Sequence, residues 1–294
     1  MAGLKEVRIR IASVNTTKQV TSAMKMVSAA KLRRAQSAII KLRPYANKLN
    51  ELLANISSSA DVSDDVVYFK TRKVKKTLMV VITSNRGLCG AFNSNVLKAA
   101  VSHINTNNKE WYDGGNLDMI TIGKKATEFF GKRKTNIIEV HDSIFDGLSY
   151  EKASNLALKL MDLYASGAYD RIELVYNQFK NAVTQILTVE QFLPIAKLPS
   201  KDTTTKKTAD YIFEPAKEEI LTDLVPKSLK IQVYKALLDS WASEQGARMS
   251  AMQKASDNAD DLLKSLRLSY NKARQASITR EIIEIVSGVN ALKG

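Results

Sequence analysis

The chain has 294 residues, of which 45% are hydrophobic and 25% are charged, an ordinary composition for a protein that folds around a hydrophobic core. It contains no run of 18 apolar residues, and its first residues lack the apolar region of a secretory signal. The sequence therefore predicts neither a membrane-spanning helix nor a secreted chain. The single cysteine, Cys89, excludes an internal disulfide, and the two histidines have no neighbours at metal-ligand spacing, so no metal site is expected.

The net charge of +14 is unevenly distributed along the chain. Residues 1–60 hold eleven Lys and Arg against two acids, whereas residues 209–294 hold twelve charges of each sign. A basic excess concentrated on one segment indicates an acidic partner, which is nucleic acid, anionic lipid or an acidic protein surface.

The N-terminal residues 4–43 are predicted to form a long helix. The 3-4 spacing of a coiled coil is set by Leu4, Val7, Ile11 and Val14. Thr21, Met24, Val27 and small residues are expected to prolong this seam. The pattern resumes after Pro44, so this proline either kinks the helix or interrupts it. Residues 1–58 are thus expected to be an N-terminal coiled-coil helix, followed by a polar break at 57–65.

Residues 75–195 are expected to form an α/β domain. Apolar runs predict strands at Leu78–Ile82, Leu117–Ile122 and Asn136–Val140, and helical spacing is found at Asn93–Ile104, Lys124–Lys132 and Tyr150–Ala165. Two alternating segments, Arg171–Tyr176 and Gln185–Phe192, predict a hairpin. Strands that alternate with helices indicate a mainly parallel sheet, here with an antiparallel edge.

The C-terminal region, residues 209–294, follows a polar tether at Lys201–Thr208. Pro215 suits a first helical turn, and Pro226 either starts or kinks a long helix that continues to Val289. Sixty helical residues would measure about 90 Å, so this helix needs a long partner. The predicted fold class is α plus α/β: a long antiparallel coiled coil of the terminal helices with an inserted Rossmann-like α/β domain.

One turn has a composition that bears on chemistry. Ser84–Gly90 follows a predicted strand and precedes a predicted helix, where phosphate-binding loops lie, but it lacks the glycine and lysine spacing of such loops. A tight turn that needs glycine backbone angles is the favoured interpretation. Cys89 within it is interpreted as a buried structural thiol rather than a nucleophile.

No arrangement of residues indicates catalytic machinery. The acid pairs Asp64-Asp65, Glu218-Glu219 and Asp260-Asp261 are adjacent in sequence, so on a helix they point about 100° apart and are interpreted as solvated faces. We expect no catalytic, cofactor-binding or metal-binding residue and no bound cofactor. Residues 1–44 contain no aromatic side chain, which weakens a nucleic-acid interpretation and favours an acidic protein partner.

The segment Ala273–Ile282 is unusually polar for a long helix. Gln275 and Thr279 lie one turn apart, with Arg274 and Glu281 beside them. It is either the solvated face of an ordinary helix or part of a helix that a partner surrounds and hydrogen-bonds.

Four stretches together resemble the F1 gamma subunit family of ATP synthases, in the right order and over the whole chain. They are Thr17–Lys31 (TKQVTSAMKMVSAAK), Ser84–Gly90 (SNRGLCG), Ser243–Met252 (SEQGARMSAM) and Tyr270–Thr279 (YNKARQASIT). Asn85 stands where the family usually has Asp, and Ala91 stands where it usually has a second Gly.

The resemblance implies a rotor without an active site, present as one copy per complex. The paired terminal helices would pass through a hexamer of three alpha and three beta subunits, and the α/β domain would contact the epsilon subunit and the c-ring. Proton flow would turn the shaft, which drives conformational cycling of the catalytic beta subunits for ATP synthesis or hydrolysis. By position, the expected beta-subunit contacts are Met24, Lys25, Arg248, Arg274, Gln275 and Thr279.

The implied location is the cytoplasmic side of the bacterial inner membrane, as a peripheral protein without direct membrane insertion and without a nucleic-acid partner. The alternative is a basic coiled-coil scaffold that binds nucleic acid or anionic membrane. It would explain the basic segment but not the α/β domain or the segment around Gln275. A third class, an α/β enzyme, lacks site residues.

Overall fold

The computed structural model describes residues 4–57, 67–133, 135–195 and 217–293. Most of the predicted polar break, the predicted tether at 201–208 and Pro215 lie outside these residues. The chain divides into two compact units, one formed by Met1–Ala29 with Arg248–Gly294 and the other by Ala30–Ala247. The helices and strands, numbered in chain order, are α1 Leu4–Ser57, β1 Thr77–Ile82, α2 Phe92–Asn107, α3 Lys109–Asp113, β2 Leu117–Ile122, α4 Lys124–Phe130, β3 Asn136–Val140, α5 Tyr150–Ala165, β4 Arg171–Phe179, β5 Gln185–Leu193 and α6 Lys217–Lys293.

Both long helices continue through their prolines. Pro44 lies inside α1 and Pro226 lies inside α6, which begins at Lys217. Pro226 therefore does not start the helix, and Pro44 does not interrupt it. Proline removes one backbone donor from a helix, and each of these helices has tens of other residues to maintain it.

The first unit is an antiparallel pair of helices. Lys18 of α1 contacts Asp260 of α6. Thr21, three residues further along α1, contacts Ser256, which lies four residues back along α6, so the two helices run in opposite directions. On α6 the inward positions recur at coiled-coil spacing, with Met252, Ser256, Ala259 and Leu263 buried and Leu266, Tyr270, Ala273 and Ser277 half-buried.

The inward face of α1 in this unit differs from the predicted one. Leu4, Val7, Ile11 and Val14 are half-buried or buried as expected, but the seam then continues through Lys18, Thr21, Lys25 and Ser28. The prediction that Met24 and Val27 prolong the seam is wrong, because they are 40% and 57% exposed. After Val14, the 3-4 spacing leads to polar residues. A prediction that followed apolar character instead placed the seam on the wrong face of α1.

The second unit is built around a five-stranded sheet in the order β3-β2-β1-β4-β5. Strands β1 to β4 are parallel, and β5 pairs antiparallel with β4 at the edge. Helices α2 and α4 pack on one face through residues such as Val96 and Phe130, and α5 packs on the other, where Leu53 of α1 and Leu229 of α6 join the core. Because β1 is buried on both faces, its sequence is a continuous apolar run.

The predicted fold class and the five strands are confirmed. Strands β2 and β3 match their predicted bounds, and both hairpin strands extend beyond theirs, to Phe179 and Leu193. The short helix α3 and a 3-10 turn at Val67–Phe69 were not predicted. Single-turn segments are too short to show helical periodicity.

Candidate functional site: exposed faces of the long helices

All six residues expected to contact a beta subunit lie in the first unit. Met24 is 40% exposed and Lys25 is half-buried. Arg248 is also half-buried, whereas Arg274, Gln275 and Thr279 are exposed. None of the last three is held in a core, so their side chains are accessible to a partner.

Met24 belongs to an exposed apolar face of α1. Ile9, Val20, Met24 and Val27 are between 40% and 60% exposed, and at about 100° per residue they fall within a stripe about 60° wide. We call these four residues the outer stripe. Exposed apolar side chains that line up along a helix mark an interaction surface. Extending the 3-4 spacing from Leu4 through Lys18 would have revealed this stripe in the sequence.

Lys25 lies in the polar part of the seam. Lys18 Nζ lies 2.5 Å from Asp260 Oδ1, and Thr21 Oγ1 lies 2.8 Å from Ser256 Oγ. Asp260 is therefore half-buried and paired, which corrects the prediction that both acids of the Asp260-Asp261 pair are simply solvated; Asp261 pairs with Lys264 on its own helix. Polar groups at seam positions favour one register of two helices over others.

Gln275 and Thr279 form the exposed polar turn that the sequence singled out. The Thr279 hydroxyl donates to the Gln275 carbonyl at 2.9 Å, a bond within the helix that leaves the Gln275 amide exposed. Arg274 lies about 100° from Gln275 around the helix axis. The three side chains thus present a guanidinium, an amide and a hydroxyl to whatever lies outside.

Beyond this turn α6 exposes an apolar face. Ile278, Ile282, Ile285, Val286 and Val289 are between 45% and 66% exposed and lie within about 100° around the axis. We call them the apolar tail. Five large aliphatic side chains on one helix face, exposed to solvent, are unfavourable unless another surface covers them.

The turn Ser84–Gly90 is held by its own side chains. Asn93 Oδ1 accepts from the Ser84 backbone N–H at 3.0 Å, and Asn93 Nδ2 donates to Ser84 Oγ at 2.8 Å and to Cys89 Sγ at 3.2 Å. Cys89 is 1% exposed, as expected for a structural thiol. Positive φ angles occur at Leu88 and Gly90 but not at Gly87, so only one of the two glycines serves the turn as predicted.

A buried carboxylate that sequence reasoning missed organises the opposite end of the sheet, where the parallel strands begin. Asp118, 2% exposed, accepts hydrogen bonds from Lys76 Nζ at 2.7 Å, Tyr169 Oη at 2.6 Å and Asn136 Nδ2 at 2.8 Å. Burial alone would raise the pKa of Asp118, but these three donors outweigh it and lower the pKa. Its partners are far apart in sequence, so no local motif marks the cluster.

Among residues 4–57, 67–133, 135–195 and 217–293, no group of three or more His, Cys, Asp or Glu side chains is placed to hold a metal ion. Within the same ranges, no helix combines the length and apolarity needed to cross a membrane.

Comparison with known proteins places the chain in a family. The family model described as ATP synthase matches residues 3–292. The ATP synthase gamma chain of Flavobacterium psychrophilum is 54% identical over the full length of both chains, and that of Cytophaga hutchinsonii is 52% identical over 99% of each. The chain belongs to the ATP synthase gamma chain family.

Solved structures agree with this membership. A chain of the Tetrahymena thermophila mitochondrial ATP synthase central stalk and c-ring is 26% identical, with a TM-score of 0.60 over 81% of this chain and 99% of that one. A chain of the Euglena gracilis mitochondrial ATP synthase, at 23% identity, shares the fold with a TM-score of 0.70 over 98% of this chain and 94% of that one. The alternative of a basic scaffold for nucleic acid or anionic membrane is not supported, because the gamma chain family accounts for the whole chain.

Proposed function

We propose that this chain is the rotating central shaft of a rotary ATP synthase, which couples proton flow through a membrane ring to conformational change in catalytic subunits. The observation that carries the proposal is the pair of exposed faces in the first unit, the outer stripe and the apolar tail. A gamma chain with these faces needs surrounding protein to cover them, and a ring of subunits supplies it.

The proposed partners are an alpha3beta3 hexamer, an epsilon subunit and the c-ring, with one copy of this chain per complex. The chain is the non-catalytic subunit of that complex, and ATP chemistry takes place on the beta subunits. It is a peripheral protein on the cytoplasmic side of the inner membrane. The absence of a cofactor is part of the same proposal.

The six exposed or half-buried residues named above supply the proposed contacts with the beta subunits. Met24 and Lys25 would meet an acidic segment, since residues 7–50 of this chain contain no acid. Arg274 and Gln275, with Arg248, would donate to loops of the beta subunits, and the Thr279 hydroxyl, which donates within the helix, would accept from them. A shaft of this kind acts by differential contact: it favours whichever partner conformation its present face binds best.

The functional division that we propose is residues 1–58, 75–195 and 209–294. The boundary between the two compact units falls within both long helices, between Ala29 and Ala30 in α1 and between Ala247 and Arg248 in α6. A division by function instead keeps each helix whole, because a continuous helix is the element that carries torsion.

Co-expression with alpha and beta subunits from the same source tests the proposal. We expect a stoichiometric complex that hydrolyses ATP and, with the membrane sector added, pumps protons. If the chain does not join alpha and beta subunits in a stable complex, the proposal fails.

Met24→Ser and Met26→Ser form a matched pair for the outer stripe. Met26 is 64% exposed but lies about 120° from Val20 and outside the stripe. Met24→Ser should reduce ATP-driven proton pumping, whereas Met26→Ser should leave it near that of the unmodified complex. Equal effects would show that the outer stripe has no special role.

A further inference from the structure

Part of α6 is buried on every side within the second unit. From Ala236 to Gly246 every residue is buried except Trp241, which is half-buried. A helix that only leans on a sheet buries one stripe and exposes the other. This segment is therefore enclosed in the unit, and it includes charged and polar side chains such as Asp239, 2% exposed, and Ser243, fully buried.

Two hydrogen bonds and one further polar contact join α6 to the β4–β5 hairpin. Gln232 Nε2 donates to Glu190 Oε1 of β5 at 2.6 Å, and Ser243 Oγ donates to the Asn177 carbonyl of β4 at 3.1 Å. Between them, the Asp239 carboxylate faces the Phe179 backbone N–H, which partly offsets the rise that burial causes in the pKa of Asp239. The three contacts use both strands of the hairpin and include two backbone groups, so they depend on the position of the whole hairpin.

A fourth contact brings the two backbones together. A Cβ atom added to Gly246 would lie 3.1 Å from Ala182 Cα and 3.2 Å from the Ala182 carbonyl oxygen. Ala182 lies in the turn of the hairpin, between β4 and β5. The helix interior has a glycine here, at a cost in helix propensity, because the hairpin turn occupies the space of a side chain.

The four contacts follow one line along the helix. Gln232, Asp239, Ser243 and Gly246 fall within about 60° around the axis and span about 21 Å along it. Rotation or sliding of α6 against the hairpin would break all of them together and leave buried polar groups without partners. The contacts oppose both motions at once.

We propose that Gln232, Asp239, Ser243 and Gly246 form the joint through which torque passes between α6 and the α/β domain. The inference rests on the proposed function as a rotating shaft. The four are positioning residues: they hold the hairpin fixed on the helix, so that the α/β domain and this part of α6 turn as one body.

Filling the close contact tests whether the joint depends on it. Gly246→Val places a side chain where an added Cβ would lie 3.1 Å from Ala182 Cα, so it should push the hairpin away from the helix. In the assembled complex, Gly246→Val should retain ATP hydrolysis but pump several-fold fewer protons per ATP. Gly288→Val, at a glycine of the same helix with nothing within 4 Å of an added Cβ, is the matched control. An unchanged number of protons per ATP in Gly246→Val, or an equal loss in Gly288→Val, would overturn the proposal.

Removing a polar contact supplies the second test, which does not depend on whether Gly246→Val folds. Asp239→Ala removes the carboxylate that faces the Phe179 N–H, whereas Asp239→Asn keeps an oxygen there. Asp239→Ala should retain ATP hydrolysis but pump several-fold fewer protons per ATP, and Asp239→Asn should restore the ratio. Val183→Ala, at a hairpin residue that is 79% exposed, is the control.

The outcomes separate the inference from the proposed function. If hydrolysis and pumping fall by the same factor in Asp239→Ala, the contacts only stabilise the fold and the joint is refuted. If the unmodified chain does not assemble or pump at all, the shaft itself is refuted.

Discussion

Lys18 and Asp260 lie 242 residues apart in the chain, yet their charged groups are 2.5 Å apart in the helix pair of the first unit. Each side chain is about two-fifths exposed, so the pair contributes little stability by itself, of the order of 1 kcal/mol or less. Its position in the seam gives it a second effect, since a shifted register would separate the charges and place Lys18 among other groups.

Charge reversal should expose this role. Asp260→Lys places two ammonium groups together and should lower the melting temperature of the chain by a few degrees, for a loss of about 1 kcal/mol. Adding Lys18→Asp should recover most of the loss. Thermal unfolding monitored by circular dichroism measures both variants, and a double variant no better than the single one would contradict a direct pairing.

The Asp118 cluster predicts an acid-sensitive fold. Because the folded-state pKa of Asp118 is lowered, the folded state binds this proton less readily than the unfolded state, and the contribution is complete above the unfolded pKa. It is lost as the pH falls through the folded pKa. Asp118→Asn should weaken the acid dependence of the unfolding free energy and lower stability at neutral pH, where Lys76 loses its buried counter-charge. Denaturant titrations from pH 3 to 7 measure the unfolding free energy of both proteins. If the cluster were unimportant, the unfolding free energy of Asp118→Asn would change with pH as steeply as that of the unmodified chain.

Asp239 should have the opposite pH dependence. Burial, partly offset by Lys235 and Arg43, raises the pKa of Asp239 to about 6. The folded state therefore holds this proton more tightly, and stability should fall as the pH rises from about 4 to about 6. Asp239→Asn should remove this fall and stabilise the chain at pH 7 by up to about 3 kcal/mol. If the unfolding free energies of the unmodified chain and of Asp239→Asn change in parallel across this range, the shift is disproved.

Two glycines should respond differently to the same substitution. Gly123 has φ of +92°, and an added Cβ would lie 2.2 Å from the Thr83 carbonyl oxygen, whereas nothing lies within 4 Å of a Cβ at Gly87. Gly123→Ala should lower the unfolding free energy by more than about 3 kcal/mol, because the added Cβ strains and displaces the backbone. Gly87→Ala should change stability by less than about 1 kcal/mol. Equal melting temperatures for the two variants would contradict the close approach of β1 and the turn after β2.

The exposed polar turn of α6 should matter only in the complex. Replacing Gln275 and Thr279 by alanine should leave the unfolding free energy of the isolated chain within about 0.5 kcal/mol, because both side chains are exposed. ATP hydrolysis by the assembled complex should fall several-fold. Glu284→Ala, also exposed on α6 but about 180° from Gln275 around the helix axis, is the control on another face, and a similar loss there would argue against a specific contact.

Local pattern was enough to predict most of the fold. The continuous apolar run of β1 predicted a strand buried on both faces, and the alternation in β4 and β5 predicted the hairpin. The two long helices followed from periodicity sustained over tens of residues. These features depend on short-range geometry, since helix and strand impose fixed spacings on the side chains that face a core.

The candidate site could be predicted only in part from local sequence pattern. Four family-like stretches indicated the contact residues, and helix spacing indicated the exposed turn at Gln275 and Thr279. Apolar character misplaced Met24 in the seam, because a polar seam through Lys18 and Thr21 is stable only when the opposite helix offers Asp260 and Ser256. Those partners are more than 230 residues away, and no local rule connects them.

The sequence by itself thus determined the long helices, the strands, their order and the family, because each rests on residues close together in the chain. The tertiary structure alone showed that Asp260 and Ser256 pair with the polar seam of α1, and it alone explains why Gly246 stands inside a helix. It also showed how Asp118 and Asp239, two buried carboxylates, acquire opposite pKa shifts. Each of these depends on which groups fold next to one another in space, where burial and hydrogen bonding act over a few ångströms.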